Sequence, residues 1–341
     1  MFDKVTHLFF NNIIFVNSML ELKSVIYLLI VSMLVIIIYQ ITFCCSTANS
    51  QETELRSIKQ LGVKGSEKGQ FTFPHSLTVD KLGNIYVGDT GNKRIQKFTP
   101  NGTFLTSWGS EGTGNGQFLG LHDVTVDPEG KFLYTVELKN HRVQKFYTNG
   151  SFVTKWGFNG TGGRDVMRSP HQIAVNSLGY VYLTDPNGNQ ILKYYDNGTF
   201  LGIVGSQGAG PGEFNTPHGI AIDANNNIYV TYMKNYRIQA FDSKDNFVRQ
   251  WGSFDIGRGQ LSETVPGIAI DTNNHVYVID KINSRVQMFD NKGNYLSSWD
   301  SDGNGPQQLH KPEDIVVNRN GKEIYITDTR NSRIQILRVI N

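Results

Sequence analysis

Four histidines occupy one recurring position: His75, His122, His171 and His218 lie 47, 49 and 47 residues apart. The next two recurrences hold Pro266 and Glu313. Imidazole and carboxylate are the usual protein ligands of zinc, and three of them plus a water make a catalytic metal site. His75, His122, His171, His218 and Glu313 are therefore candidate metal ligands, provided the chain brings equivalent positions together. On a six-fold ring alternate positions face one another, which gives His122, His218 and Glu313 as one triangle. The competing reading is structural, with each imidazole hydrogen-bonded to backbone at a turn-to-strand position.

Other patterns carry less chemistry. An acid stands five residues before an arginine at Asp89/Arg94, Glu137/Arg142, Asp280/Arg285 and Asp328/Arg333. A pair repeated that often reads as a turn-fixing device rather than a ligand site. Asp300-Ser301-Asp302-Gly303-Asn304-Gly305 opens like a calcium loop, but the twelfth position is Lys311 instead of glutamate. Gly112-x-Gly114-x-Gly116 has no following helix to make it a phosphate cradle. The sequence contains no Gly-x-Ser-x-Gly, His-Glu-x-x-His or phosphate-loop pattern. It reads as a binding module before an enzyme.

The elements that must position these residues are repeats. Arg94-Ile95-Gln96-Lys97-Phe98 recurs at 142, 190, 237, 285 and 333, with spacings of 48, 48, 47, 48 and 48. Trp108, Trp156, Trp251 and Trp299 keep the same register, with Val204 in the missing place. Each unit offers four short strand candidates separated by Gly, Asn and Asp turns; in the first they are 76–80, 85–88, 94–98 and 104–109. A four-stranded sheet cannot cover both its faces alone, whereas six stacked radially can, which predicts an all-β six-bladed propeller. The chain ends on a third strand, 333–340, so the segment from Leu55 to Gly62 is expected to supply the missing outer strand and close the ring. Leu61-Gly62 then takes the place of Trp108-Gly109.

Pro74-His75-Ser76-Leu77-Thr78-Val79-Asp80, Asn84-Ile85-Tyr86-Val87 and Arg94-Ile95-Gln96-Lys97-Phe98 resemble the NHL repeat, and the resemblance covers residues 55–341. It implies the same six-bladed propeller. Relatives of this kind serve as protein- and RNA-binding modules, and one is the lyase domain that completes peptide α-amidation. That lyase is similar in placing its zinc histidines in Pro-His-x-Leu/Ile segments, matched here by 74–77, 170–173 and 217–220. The resemblance therefore implies zinc at the central channel and a metal-dependent lyase or hydrolase as the alternative to a binding module. The lyase's catalytic Tyr and Arg follow the second strand. Here those loops, from Asp89-Thr90-Gly91 through Asp280-Lys281-Ile282 to Asp328-Thr329-Arg330, do not match that pattern.

The N-terminal part reads separately. Residues 1–23 form a leading region, and residues 24–43 are twenty residues without a charge. As a helix at ~1.5 Å per residue they would span roughly 30 Å, the thickness of a bilayer core. They read as a signal-peptide core or an uncleaved transmembrane anchor, followed by a 44–54 linker and the 55–341 propeller. The expected location is extracytoplasmic, secreted or held to the membrane through 24–43. Both cysteines, Cys44 and Cys45, precede the repeats, so no disulfide framework holds the ring. Thirty-two basic against 30 acidic residues leave +2, which argues against a nucleic-acid partner. The expected partner is a protein, peptide or glycan, bound by a monomeric ring. Four glycosylation sequons stand at Asn101, Asn149, Asn159 and Asn197.

Overall fold

The computed structural model describes residues 27, 31–34, 54–157, 165–300 and 302–340. Tyr27 and residues 31–34 are helical; the rest of 24–43, the whole of 1–23, 44–53 and Asn159 lie outside the described residues. Among the described residues no helix is long and apolar enough to cross a membrane. The chain divides into Met1–Glu52 and Thr53–Asn341, and the second unit is the propeller.

Six four-stranded antiparallel sheets make the six blades. Blade one consists of Pro74–Val79, Ile85–Asp89, Arg94–Phe98 and Phe104–Trp108, counted from the axis outward. Blades two to five begin with the inner strands Leu121–Val126, Ile173–Val175, Pro217–Ile222 and Ile268–Ile270. Blade six contains Ile315–Val317, Glu323–Asp328 and Arg333–Ile340, and its outer strand is Glu54–Leu61. The closing strand thus starts at the last residue of the expected linker. Leu61 pairs with Ile334 just as Trp108 pairs with Ile95, as the repeat register predicts.

Burial explains why these segments are strands of this kind. All five residues of Ile85–Asp89 are buried, because a middle strand is covered on both faces by neighbouring blades. The outer strands Phe104–Trp108, Phe152–Trp156 and Phe247–Trp251 alternate between half-buried and exposed positions, since they pack against one neighbour only. A bulge recurs where the outer strand meets the third, as between Lys97 and Phe98 and between Lys145 and Phe146. It adds twist at the one edge that water reaches.

The repeated Arg-x-Gln motif now has a physical reason. Arg94 Nε donates to Asp89 at 2.8 Å, and its Nη2 reaches the Gln70 carbonyl at 3.0 Å. Gln96 Nε2 donates to that carbonyl at 2.7 Å, while its Oε1 accepts from Gly69 N at 3.0 Å. In blades one, two, four, five and six the third strand thereby clasps the loop arriving from the previous blade. The calcium-like stretch is one of these loops: Asp302 bridges Leu309 as Glu111 bridges Phe118. Blade three has Leu192 in the glutamine place, and there Asp185 holds the incoming segment by accepting from Arg168 N at 3.2 Å and Ser169 N at 2.7 Å.

Candidate functional site

The four histidines stand at the beginning of the inner strands, so topology puts them on one face, around the axis. The hairpins carrying Asn101, Asn149 and Asn197 connect third to outer strands and are exposed on the opposite face. The imidazoles form an arc: ring centres are 4.1 Å apart for His75 and His122, 4.1 Å for His122 and His171, and 4.3 Å for His171 and His218. His122 and His218 are 6.3 Å apart, so adjacent blades, not alternate ones, make the close contacts.

Each Nδ1 faces the next blade. His75 Nδ1 lies 2.9 Å from the His122 carbonyl, His122 Nδ1 3.1 Å from the His171 carbonyl, and His218 Nδ1 3.3 Å from the Pro266 carbonyl. A carbonyl can only accept, so the hydrogen of these three rings is assigned to Nδ1 and Nε2 is bare. His171 Nδ1 lies 2.9 Å from His218 Nε2, and a bare His218 Nε2 requires His171 to donate. All four rings therefore share one neutral tautomer. The free lone pairs are the Nε2 of His75, His122 and His171.

Burial keeps the rings neutral. It holds His122 well below the ordinary imidazole range, helped by the charges its three neighbours would carry. His171 is pushed down to about 2 and His218 to about 4, burial being the largest cause in both. Burial also lowers His75, against the pull of Glu313. Glu313 closes the arc: its Oε2 is 3.9 Å from His75 Nε2, and its other oxygen accepts from Lys281 Nζ. A depressed histidine is neutral in the fold yet takes up a proton on unfolding, so stability present above pH 6.5 is lost as pH falls toward the folded pKa. For His218 the loss between pH 6.5 and 4 is about 3 kcal/mol by the usual 1.36 kcal/mol per unit. His218→Gln should flatten the stability–pH curve across that window, which urea unfolding of both chains at pH 7, 5.5 and 4.5 checks.

Below the rim lies a second layer that motif reading missed. Gln172 of blade three donates to Asp314 Oδ1 of blade six at 3.2 Å, across the axis. Asp314 Oδ2 accepts from Leu77 N at 3.0 Å, and Asp123 Oδ2 accepts from Ile173 N at 2.8 Å. The channel is bridged at this level, so the histidine mouth is a shallow site and not the entrance of a tunnel. The signal was the residue after each histidine position: Ser76, Asp123, Gln172, Gly219, Gly267 and Asp314. Lys281 was also missed; its Nζ donates to Glu313, one of the two positions that lack histidine.

Whether this rim suits a metal divides into chemistry and spacing. A bare Nε2 with Nδ1–H held by a carbonyl is the arrangement of a metal-ligating histidine, and three such atoms are present. Among the described residues, however, no three His, Cys, Asp or Glu side chains stand at metal-holding spacing. His218 has its Nε2 committed to His171 and Glu313 is held by Lys281. Of the five candidate ligands, the structure thus leaves His75, His122 and His171 with free donor atoms.

Comparison with known proteins agrees with the fold. A family profile described as a 6-bladed beta-propeller matches residues 161–251 and 267–335, and the NHL repeat matches residues 71–98. Human NHL repeat-containing protein 3 is 37% identical over 78 residues, 23% of this chain and 21% of that protein. Peptidyl-glycine alpha-amidating monooxygenase A of Xenopus laevis is 36% identical over 85 residues, 23% of this chain but 9% of that protein. The match therefore spans about a fifth or less of either relative. Virginiamycin B lyase from Staphylococcus aureus superposes with a TM-score of 0.56 at 13% identity, covering 85% of this chain and 100% of the lyase. That likeness is one of fold.

Proposed function

Starting from a six-bladed β-propeller that carries NHL repeats, we propose that the chain is a binding module whose contact surface is the histidine rim. The arc of bare Nε2 atoms carries the reading. These atoms and the Glu313 carboxylate all accept hydrogen bonds, so the rim suits a peptide or protein segment presenting N–H donors. Phe73, which lies two residues before His75, and Ile282, beside Lys281, are exposed and supply apolar contact next to the acceptors. We place this module outside the cytoplasm, secreted or anchored through residues 24–43, on the strength of that uncharged stretch and of the exposed Asn101, Asn149 and Asn197 sequons. Random peptides selected on the full chain should lose at least tenfold in affinity for a His122→Leu/His171→Leu variant of unchanged circular dichroism. Equal binding to both chains would move the contact surface elsewhere.

The tautomer pattern favours a second reading, a zinc-dependent lyase or hydrolase. For that, His75, His122 and His171 would have to draw together to hold the ion through Nε2, since among the described residues their side chains do not stand at metal-holding spacing. A zinc ion there would polarise a substrate oxygen or acidify a water. In that reading the backbone carbonyls of His122 and His171 keep the rings of His75 and His122 in the ligating tautomer, and His218 does the same for His171. Metal analysis of the purified full chain, beside His122→Ala/His171→Ala, decides between the two readings. Near one equivalent of zinc, lost in the variant, supports the enzyme; none after reconstitution leaves the binding module.

A further inference from the structure

Blade three departs from the repeat at one place on the outside of the ring. In blades one, two and four the tryptophan that ends the outer strand (Trp108, Trp156 and Trp251) lies against the hairpin glycine of the next blade (Gly150, Gly198 and Gly293), where a Cβ would collide with the ring. Blade three has Val204 in the tryptophan place, and the next hairpin has Asp245 in the glycine place. Two positions before Val204 its outer strand carries Gly202, where the others carry Thr106, Thr154, Arg249 and Ser297. A Cβ on Gly202 would meet nothing within 4 Å. A groove of about 350 Å³, within the size range of small-molecule sites, runs there between Tyr180, Lys193, Tyr195, Gly202 and Val204 of blade three and Asp245 of blade four.

The hydrogen bonding is rearranged to serve this groove. Asp245 sits at φ +68°, a left-handed conformation that Asp tolerates better than most side chains. Its carboxylate accepts from Tyr182 OH at 3.0 Å and from Lys193 Nζ at 2.6 Å. In blades one, four and five the equivalent tyrosine donates to an aspartate of its own blade, as Tyr86 does to Asp80. Blade three has Asn176 at that point, and Tyr182 donates to Asp245 instead. Neither charge is used up. A carboxylate has about four lone-pair sites, and among the described residues these two side chains are its donors in the groove. Among the same residues Lys193 Nζ has Asp245 as its one hydrogen-bond acceptor, which leaves ammonium hydrogens free. The two side chains stay 16 and 21% exposed, so a ligand in the groove reaches both. The remaining wall is aromatic: Tyr195 is 44% exposed, its ring centre 5.6 Å from that of Tyr180.

We propose that this groove binds a pyranose ring of a neutral sugar, two adjacent hydroxyls on Asp245 and Lys193 and its C–H face on Tyr195. The charge pattern selects a neutral ligand. Beside a paired lysine and aspartate, a cation gains from one and loses to the other, and so does an anion. A group that donates to the carboxylate and accepts from the ammonium gains from both, and neighbouring hydroxyls do this. The exposed tyrosine asks for an apolar face on the same ligand, which the axial C–H groups of a pyranose supply.

Saturation-transfer NMR titration of the full chain with the methyl pyranosides of glucose, galactose and mannose tests this. Cyclohexylammonium and cyclohexanecarboxylate serve as ring-sized charged controls. Saturable binding of at least one pyranoside is expected, with both charged rings at least tenfold weaker. Tyr195→Ala, at an exposed position, should cost at least tenfold. Val204→Trp/Asp245→Gly gives blade three the ring and the glycine that three other junctions already pack, so it keeps the fold, fills the groove and should abolish binding. His122→Leu/His171→Leu should bind the sugar as the parent chain does, which separates this site from the histidine rim. No saturation with any of the three pyranosides, equal affinity for either charged ring, loss in the rim variant, or unchanged binding in a folded Val204→Trp/Asp245→Gly chain would each overturn the proposal.

Discussion

A chain lacking only residues 54–61 is expected to lose cooperative folding of the propeller. The segment pairs with residues 334–340, from Glu54 opposite Ile340 to Leu61 opposite Ile334, with one bulge between Ser57 and Lys59. Leu55 and Leu61 are buried against the last blade and its neighbours, Leu61 beside Phe71, Phe98 and Ile334. Losing one such leucine costs about 2–5 kcal/mol, and a native domain holds only about 5–15 kcal/mol in all. The deletion also opens a ladder whose hydrogen bonds are each worth about 1 kcal/mol. Urea unfolding followed by circular dichroism should show no sharp transition, or a midpoint at far lower urea. Moving residues 54–61 to follow Ile340 through a short linker should restore the transition, since the strand is needed and not its place in the sequence. An unchanged midpoint in the deleted chain would refute closure by this strand.

Arg142→Met is expected to cost about 3–5 kcal/mol, the usual penalty for orphaning one member of a buried ion pair. Glu137 is 0% exposed, with Arg142 Nε 2.6 Å from Oε1 and Nη2 3.3 Å from Oε2. The same guanidinium also holds the incoming loop through the Gly114 and Gln117 carbonyls at 3.0 and 2.8 Å. A Glu137→Gln/Arg142→Met double variant removes the stranded charge and should regain more than half of the loss. Guanidinium unfolding of the four chains in this cycle reads the coupling directly. Additive losses would mean that the pair is screened and acts only as a loop clasp.

The fold was legible because it is written six times. A 48-residue recurrence of Arg-x-Gln with tryptophan fixes blade number, strand register and even the closing strand, none of which depends on fine packing. The histidine rim was legible as a set of residues but not as an arrangement. Sequence spacing places one histidine in each of four blades, and symmetry alone suggests alternate blades. The rings instead lean on the next blade's backbone, because a Nδ1–H buried at a strand start needs an acceptor and the neighbouring carbonyl is nearest. The bridging layer stayed hidden for a different reason. Asp123, Gln172 and Asp314 belong to no motif, and only the ring's geometry turns three unrelated residues into a floor. Lys281 is similar: its role follows from Glu313, which lies 32 residues away in the chain.

The closing strand has a mechanical consequence. Glu54 and Ile340 form the outermost pair of an antiparallel ladder, so a load applied between them opens one rung at a time, like a zipper. The same load applied between Leu61 and Ile340 would act along the strands and strain every rung together, the stronger arrangement. Tension delivered through the residue before Glu54 would thus peel the last blade at low force, beginning at the face that carries the Asn101, Asn149 and Asn197 hairpins. Pulled from that end the ring behaves as a latch that slips, whereas a pull within the outer strands of blades one to five meets sheets with no free end to peel.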